Sequence, residues 1–196
     1  MIWRVFFLSG FAALLYPIVW QRALFAIYGI NIESVTMVVT AFMLGLGLGS
    51  LAGGALSKDP KRPVLVIFSL VETGIGAFGV LSLALFRAVG SATLVLSPTA
   101  TACVTFALVL VPTMLMGGTL PLLVAHEVRA SGNVGRSVGM LYFVNTLGSA
   151  LASLAAAVAI LGALGQAGTV RLAAAINFTV AALIYAYHAR ARKKAA

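Results

Sequence analysis

Four acidic residues occur among 196, and one of them, Glu72, stands inside a long apolar run. It follows Pro63 by nine positions, or roughly 14 Å along a helix at the standard rise. A carboxyl at that depth in a membrane costs at least about 2.5 kcal/mol on insertion scales, so its presence needs a reason. Two are open: Glu72 carries a proton or anchors a cationic substrate, or it is hydrogen-bonded to a neighbouring helix. Tyr16, Gln21 and Arg22 extend the polar set along the first apolar segment. Arg22 has three readings: it binds an anion, pairs with Glu33, or snorkels to headgroups. Tyr142, Asn145 and Thr146 lie within about one turn of one another in a later segment. They either bind substrate or join helices by hydrogen bonds, and Asn177 reads the same way. The run Gly117-Gly118-Thr119-Leu120-Pro121, with Pro112 before it, marks a helix break or hinge, or a simple packing kink. Pro121 has no N–H, so carbonyls near Thr113 and Gly117 are left free. His126, Glu127 and His188 lack metal-ligand spacing. No Ser/His/Asp set, phosphate loop or dinucleotide fingerprint is present. No catalytic residue, cofactor or metal is therefore expected.

The elements that must position these groups follow from composition. Hydrophobic residues make up 62% of the chain and charged residues 9%, against roughly 25% charged in a soluble domain. Such a chain cannot cover a water-facing surface. Taking about 20 residues per crossing, the pattern predicts an all-α, polytopic single domain of six transmembrane helices. The spans are about 5–28, 34–56, 64–88, 101–127, 137–161 and 169–188, with no soluble domain. The net charge of +9 belongs to topology and headgroup contact rather than to nucleic acid. Arg4, Lys58, Lys61, Arg62, Arg129, Arg136, Arg190, Arg192, Lys193 and Lys194 fall on one side. That places both termini in the cytoplasm of an inner-membrane protein, with Arg22, Arg87 and Arg171 toward the outer ends. Cys103 is the one cysteine and reads as packing.

Gly45, Gly49 and Gly53 recur every four residues in the second span and form a smooth helix-packing stripe. Gly148 heads a weaker version in the fifth. Leu48-Gly49-Ser50 and Leu147-Gly148-Ser149 match. Equivalence of the second and fifth spans implies a three-plus-three inverted repeat.

Several blocks resemble the membrane region of spermidine-synthase-like membrane proteins. These are Phe7-Leu8-Ser9-Gly10-Phe11, Val19-Trp20-Gln21-Arg22, Glu72-Thr73-Gly74-Ile75-Gly76, Leu115-Met116-Gly117-Gly118-Thr119-Leu120-Pro121, and Gly139-Met140-Leu141-Tyr142 with Asn145-Thr146-Leu147-Gly148. The soluble aminopropyltransferase-like domain of many relatives has no counterpart in this sequence, so aminopropyl transfer is not implied. That membrane region in turn resembles one six-helix half of a major facilitator superfamily transporter. Gly54-Ala55-Leu56-Ser57-Lys58-Asp59 resembles that superfamily's loop signature, with Lys58 where an acid is expected. The resemblance implies a homodimer that rebuilds a twelve-helix whole. The expected function is a small secondary transporter working by alternating access, with a polyamine or other small organic cation as substrate. The alternative is a non-transporting membrane scaffold for a separately encoded soluble enzyme. Expected partners are the lipid bilayer, a second copy and a small-molecule substrate.

Overall fold

The protein is described by a computed structural model over residues 1–28, 31–93 and 97–195, without the side chains of residues 27–28, 31–34, 98 and 194–195. All of its regular structure is helical: α1 (Ile2–Tyr28), α2 (Asn31–Ser57), α3 (Val64–Ala92), α4 (Pro98–Ser131), α5 (Val134–Ala155), one π-helical turn (Ala156–Ile160) and α6 (Leu161–Ala195). No strand occurs among the described residues.

The punctuation has local causes. Ser97 caps α4, its hydroxyl accepting from the Ala100 N–H at 3.3 Å. Pro98 follows at the first helical position, where a missing N–H costs nothing. Gly132 ends α4 in the left-handed conformation with φ 69°. Asn133 then caps α5 by accepting from the Arg136 N–H at 2.9 Å. The polar loop expected over 129–136 is thus reduced to a two-residue hinge between capped helices.

Five segments are long and apolar enough to cross a membrane: Ile2–Ala26, Val35–Ser57, Val64–Ala92, Thr99–Ser131 and Val134–Lys193. The fifth holds 60 residues, where two spans at 137–161 and 169–188 were expected. No loop separates them, because the helical hydrogen bonding passes through the π turn and continues. The change of direction lies at Gly165, whose φ of 62° and ψ of −173° no helix accommodates.

Outward faces are apolar. Leu51 is 74% exposed and Val158 77%, which water would penalise and lipid tails accept. These observations make the chain a multi-pass membrane protein. α1 packs against α5, α6 and α2; α4 packs against α2 and α3; and α3 lies along α6. Two apolar clusters fill the interior. Trp20, Tyr16, Leu24 and Phe86 belong to one, and Phe6, Phe68, Leu123 and Ile184 to the other.

The glycine stripe is a contact surface. A Cβ at Gly45, Gly49 or Gly53 would overlap Thr113, the Met114 carbonyl or Gly118 of α4. Gly148 stands the same way against the Phe7 carbonyl of α1. Close backbone approach of this kind replaces the hydrophobic drive that lipid does not supply.

Candidate functional site

The site is a buried hydrogen-bond chain beside a polar cavity. Glu72 lies on the face of α3 turned toward α1 and α6 and is fully buried. The Ser9 hydroxyl of α1 donates to its Oε1 at 2.5 Å. The Asn177 amide of α6 donates to its Oε2 at 2.6 Å. The phenol of Tyr16 donates to the Asn177 Oδ1 at 2.7 Å. Ser9 and Tyr16 are seven residues apart on α1, two turns along one face, so one helix reaches both ends of the chain. No lysine or arginine enters it. Among the described residues the ion pair present is Arg62 with Asp59 at 3.9 Å, both exposed. The carboxyl is therefore satisfied by neutral donors, and each of its oxygens has one.

A cavity of about 250 Å³ adjoins this chain. Ser9 and Asn177 line it, so the two side chains that hold Glu72 also face the space. Tyr142, Asn145, Thr146 and Ser149 supply one polar wall from α5, and Thr119 adds a hydroxyl from α4. Ala13, Leu14, Phe42, Leu46, Ile75 and Met116 are the apolar part of the lining. No charged residue lines it. Glu72 sits one hydrogen bond behind the surface, and a ligand that takes the bonds of Ser9 or Asn177 competes with it. Thr146 and Tyr142 are exposed at the open side, and polar side chains are expensive against lipid tails.

The other expected residues are distributed as follows. Tyr16 joins the chain through Asn177 but does not line the cavity. Gln21 is half-buried and Arg22 exposed, and neither lines it. Arg22 follows the start of α1 by 20 residues, about 30 Å of helix, so the far interface is within reach of its side chain. The side chain of Glu33 lies outside the described residues. Pro112, Gly117, Gly118 and Pro121 produce no helix break, since α4 runs continuously through all four. The Gly117 carbonyl that Pro121 leaves without a helical partner accepts instead from the Ser50 hydroxyl of α2 at 3.1 Å. Asn145 reaches the Phe6 carbonyl at 3.4 Å, and Ser149 donates to the Gly10 carbonyl at 3.0 Å.

Three participants escaped sequence reasoning as site residues: Ser9, Thr119 and Ser149, the last read only as part of a packing stripe. Ser9 was missed because a serine in an apolar helix usually bonds back to its own turn, as Ser69 does to the Leu65 carbonyl at 2.9 Å. The seven-residue spacing from Tyr16 was the available signal. Thr119 was hidden inside a run read for its glycines and proline. Arg129, taken as a topology signal, clasps the α2–α3 connection by donating to the carbonyls of Ser57 at 2.7 Å and Asp59 at 3.0 Å. Trp20 is fully buried, stacks on Tyr16 with centroids 5.4 Å apart, and leaves its indole N–H without a partner. Among the described residues no three His, Cys, Asp or Glu side chains come together. No protein-family model, no curated protein and no solved structure matches this chain.

Proposed function

We propose that the protein is a small secondary transporter whose polar pathway is the cavity beside Ser9 and Asn177, with Glu72 as the charge that the pathway serves. One observation carries this reading: a fully buried carboxyl deep in an apolar bundle is held by two side chains that also face a polar cavity. A structural carboxyl has no need of a cavity next to its donors. The substrate class is a small organic cation, such as a polyamine, for which Glu72 is the counter-charge. Arg22, which would oppose a cation, lies outside the cavity lining.

The reading includes six spans, with Gly165 dividing the last long segment into two. A straight helix of 60 residues would reach about 90 Å, three times the hydrocarbon thickness, and both α5 and α6 pack on α1. It also includes a three-plus-three inverted repeat in a half-major-facilitator bundle. Supporting it, Gly49 and Gly148 each meet a partner-helix carbonyl, and Ser50 and Ser149 each donate to a glycine carbonyl. The cavity, open on the side of α5, is completed by a second copy in a homodimer. The reading also takes an inner-membrane protein with both termini cytoplasmic, an orientation that the distribution of basic residues supports.

The test is flux. Purified protein in liposomes is expected to take up a labelled organic cation. Glu72→Gln is expected to abolish uptake while its elution from a sizing column stays that of the folded protein. No flux for any cation tested, together with a soluble protein co-purifying in stoichiometric amount, would favour a scaffold instead.

A further inference from the structure

A second and larger cavity, about 500 Å³, lies far from Glu72 at the end of the bundle opposite the Lys58–Arg62 connection. Trp20 of α1 and Phe86 of α3 form an aromatic wedge at its inner end, meeting edge to face with centroids 6.0 Å apart. Beyond that wedge α1 offers only Ala23 and Ala26, which do not fill the gap. Leu83 and Phe86 form the facing wall, and Gln166 closes the space from α6 just past the break at Gly165. The walls are thus apolar below and polar at the mouth, where Arg87 stands exposed. The Arg87 Nε donates to the Leu83 carbonyl at 3.2 Å, which fixes the guanidinium along its own helix.

The charge at this end is unusual. Arg22, Arg87 and Arg171 are the three basic residues that do not share the loop-rich basic end, and they belong to α1, α3 and α6, the helices that frame this cavity. Arg22 lies four residues before Ala26, on the same face of α1. The sequence places one acid, Glu33, near them, so at most one of the three arginines is balanced within the chain. Topology disfavours arginines on this side, and a cavity of this size left empty forfeits dispersion contacts along its walls. Arg87 follows the start of α3 by 23 residues, about 34 Å of helix, which is headgroup depth for a hydrocarbon layer of about 30 Å.

We infer that this cavity is a binding site for an anionic phospholipid, its phosphate on Arg87 and Gln166 at the mouth and an acyl chain against Ala23, Ala26, Leu83 and Phe86. The site is independent of the Glu72 pathway. Bidentate pairing suits guanidinium to phosphate, and the start of a helical turn beyond Gly165 adds an end that favours anions.

The experiment uses purified full-length protein in a neutral detergent, titrated with phosphatidylglycerol, phosphatidylcholine or inorganic phosphate, and reads the melting temperature. Phosphatidylglycerol is expected to raise it in a saturable manner, and the other two are not. Arg87→Gln is expected to weaken the apparent affinity by about tenfold or more, as loss of a charged hydrogen bond does. Arg136→Gln, at the basic end, is expected to leave it unchanged. Ala23→Leu keeps every charge and fills the cavity; it is expected to melt no lower than the parent and to lose the lipid response. Equal protection by phosphatidylcholine overturns the proposal, as does an unaltered response in Arg87→Gln. Equal loss in Arg136→Gln would reduce the effect to general charge attraction. Protection by phosphate alone would assign the site to a free anion.

Discussion

The α2–α4 seam and the α1–α5 seam use the same joint and line it differently. In each, a glycine of a Leu-Gly-Ser run meets the partner's backbone carbonyl, and the following serine donates to a glycine carbonyl across the seam. Facing that joint, α4 presents Met116 before its glycine where α1 presents Ser9. Likewise α2 presents Leu46 where α5 presents Asn145. All four side chains line the same cavity, one apolar pair and one polar pair. The shared features are those that packing requires. The features present on one side alone, Ser9 and Asn145, are those that packing does not explain.

The largest effects should come from the joints themselves. Gly49→Leu and Gly148→Leu each drive a side chain into a partner backbone, where overpacking costs about 1–3 kcal/mol or more. Both are expected to abolish the monodisperse peak on a sizing column. Gly47, whose Cβ position is open, should accept alanine with no loss of melting temperature. A tolerant Gly148 beside an intolerant Gly49 would break the comparison.

Replacing the buried carboxyl should come next. Glu72→Leu leaves the Ser9 hydroxyl and Asn177 amide without their acceptor, at about 1–3 kcal/mol per stranded group. Glu72→Gln keeps an acceptor and is expected to melt several degrees above Glu72→Leu.

The serines should separate the seams more finely. Ser50→Ala strands the Gly117 carbonyl, because Pro121 denies it a helical donor, and is expected to cost about 1 kcal/mol. Ser149→Ala leaves the Gly10 carbonyl its ordinary helical partner, so its loss should be smaller. Chemical denaturation of the two variants side by side decides the order. Asn145→Leu makes the α1–α5 seam resemble its counterpart. Because the bond from Asn145 to the Phe6 carbonyl is long at 3.4 Å, stability should change by less than about 0.5 kcal/mol, whereas uptake in liposomes should fall steeply.

Much of this was legible in the residues. Apolar runs of span length mark the helices because lipid solvates nothing else. The four-residue glycine spacing marked the packing face of α2, though not its partner α4, because a missing side chain is visible in a sequence. Tyr142, Asn145 and Thr146 announced a polar face on α5 by their spacing. The unbroken helical run from α5 into α6 was not legible, since a π turn and one left-handed glycine reorient a helix without a polar stretch. Nor was the fate of the Gly117 carbonyl. A proline tells that a carbonyl is freed, but which hydroxyl takes it depends on the neighbouring helix. The cavity beyond Trp20 and Phe86 was equally hidden, because a void depends on how neighbouring helices are placed.

On the proposed reading, a water-accessible polar pathway passes along α5 beside Glu72. Single cysteines introduced in turn at Tyr142, Asn145, Thr146 and Ser149, in a Cys103→Ala background, test it most directly when reacted with a charged, water-soluble maleimide. Leu154, which is 62% exposed outside the cavity, serves as the lipid-facing comparison. The pathway predicts rapid labelling at the four cavity positions and none at Leu154→Cys. Protection of all five positions in intact membranes, with full labelling after denaturation, would contradict it.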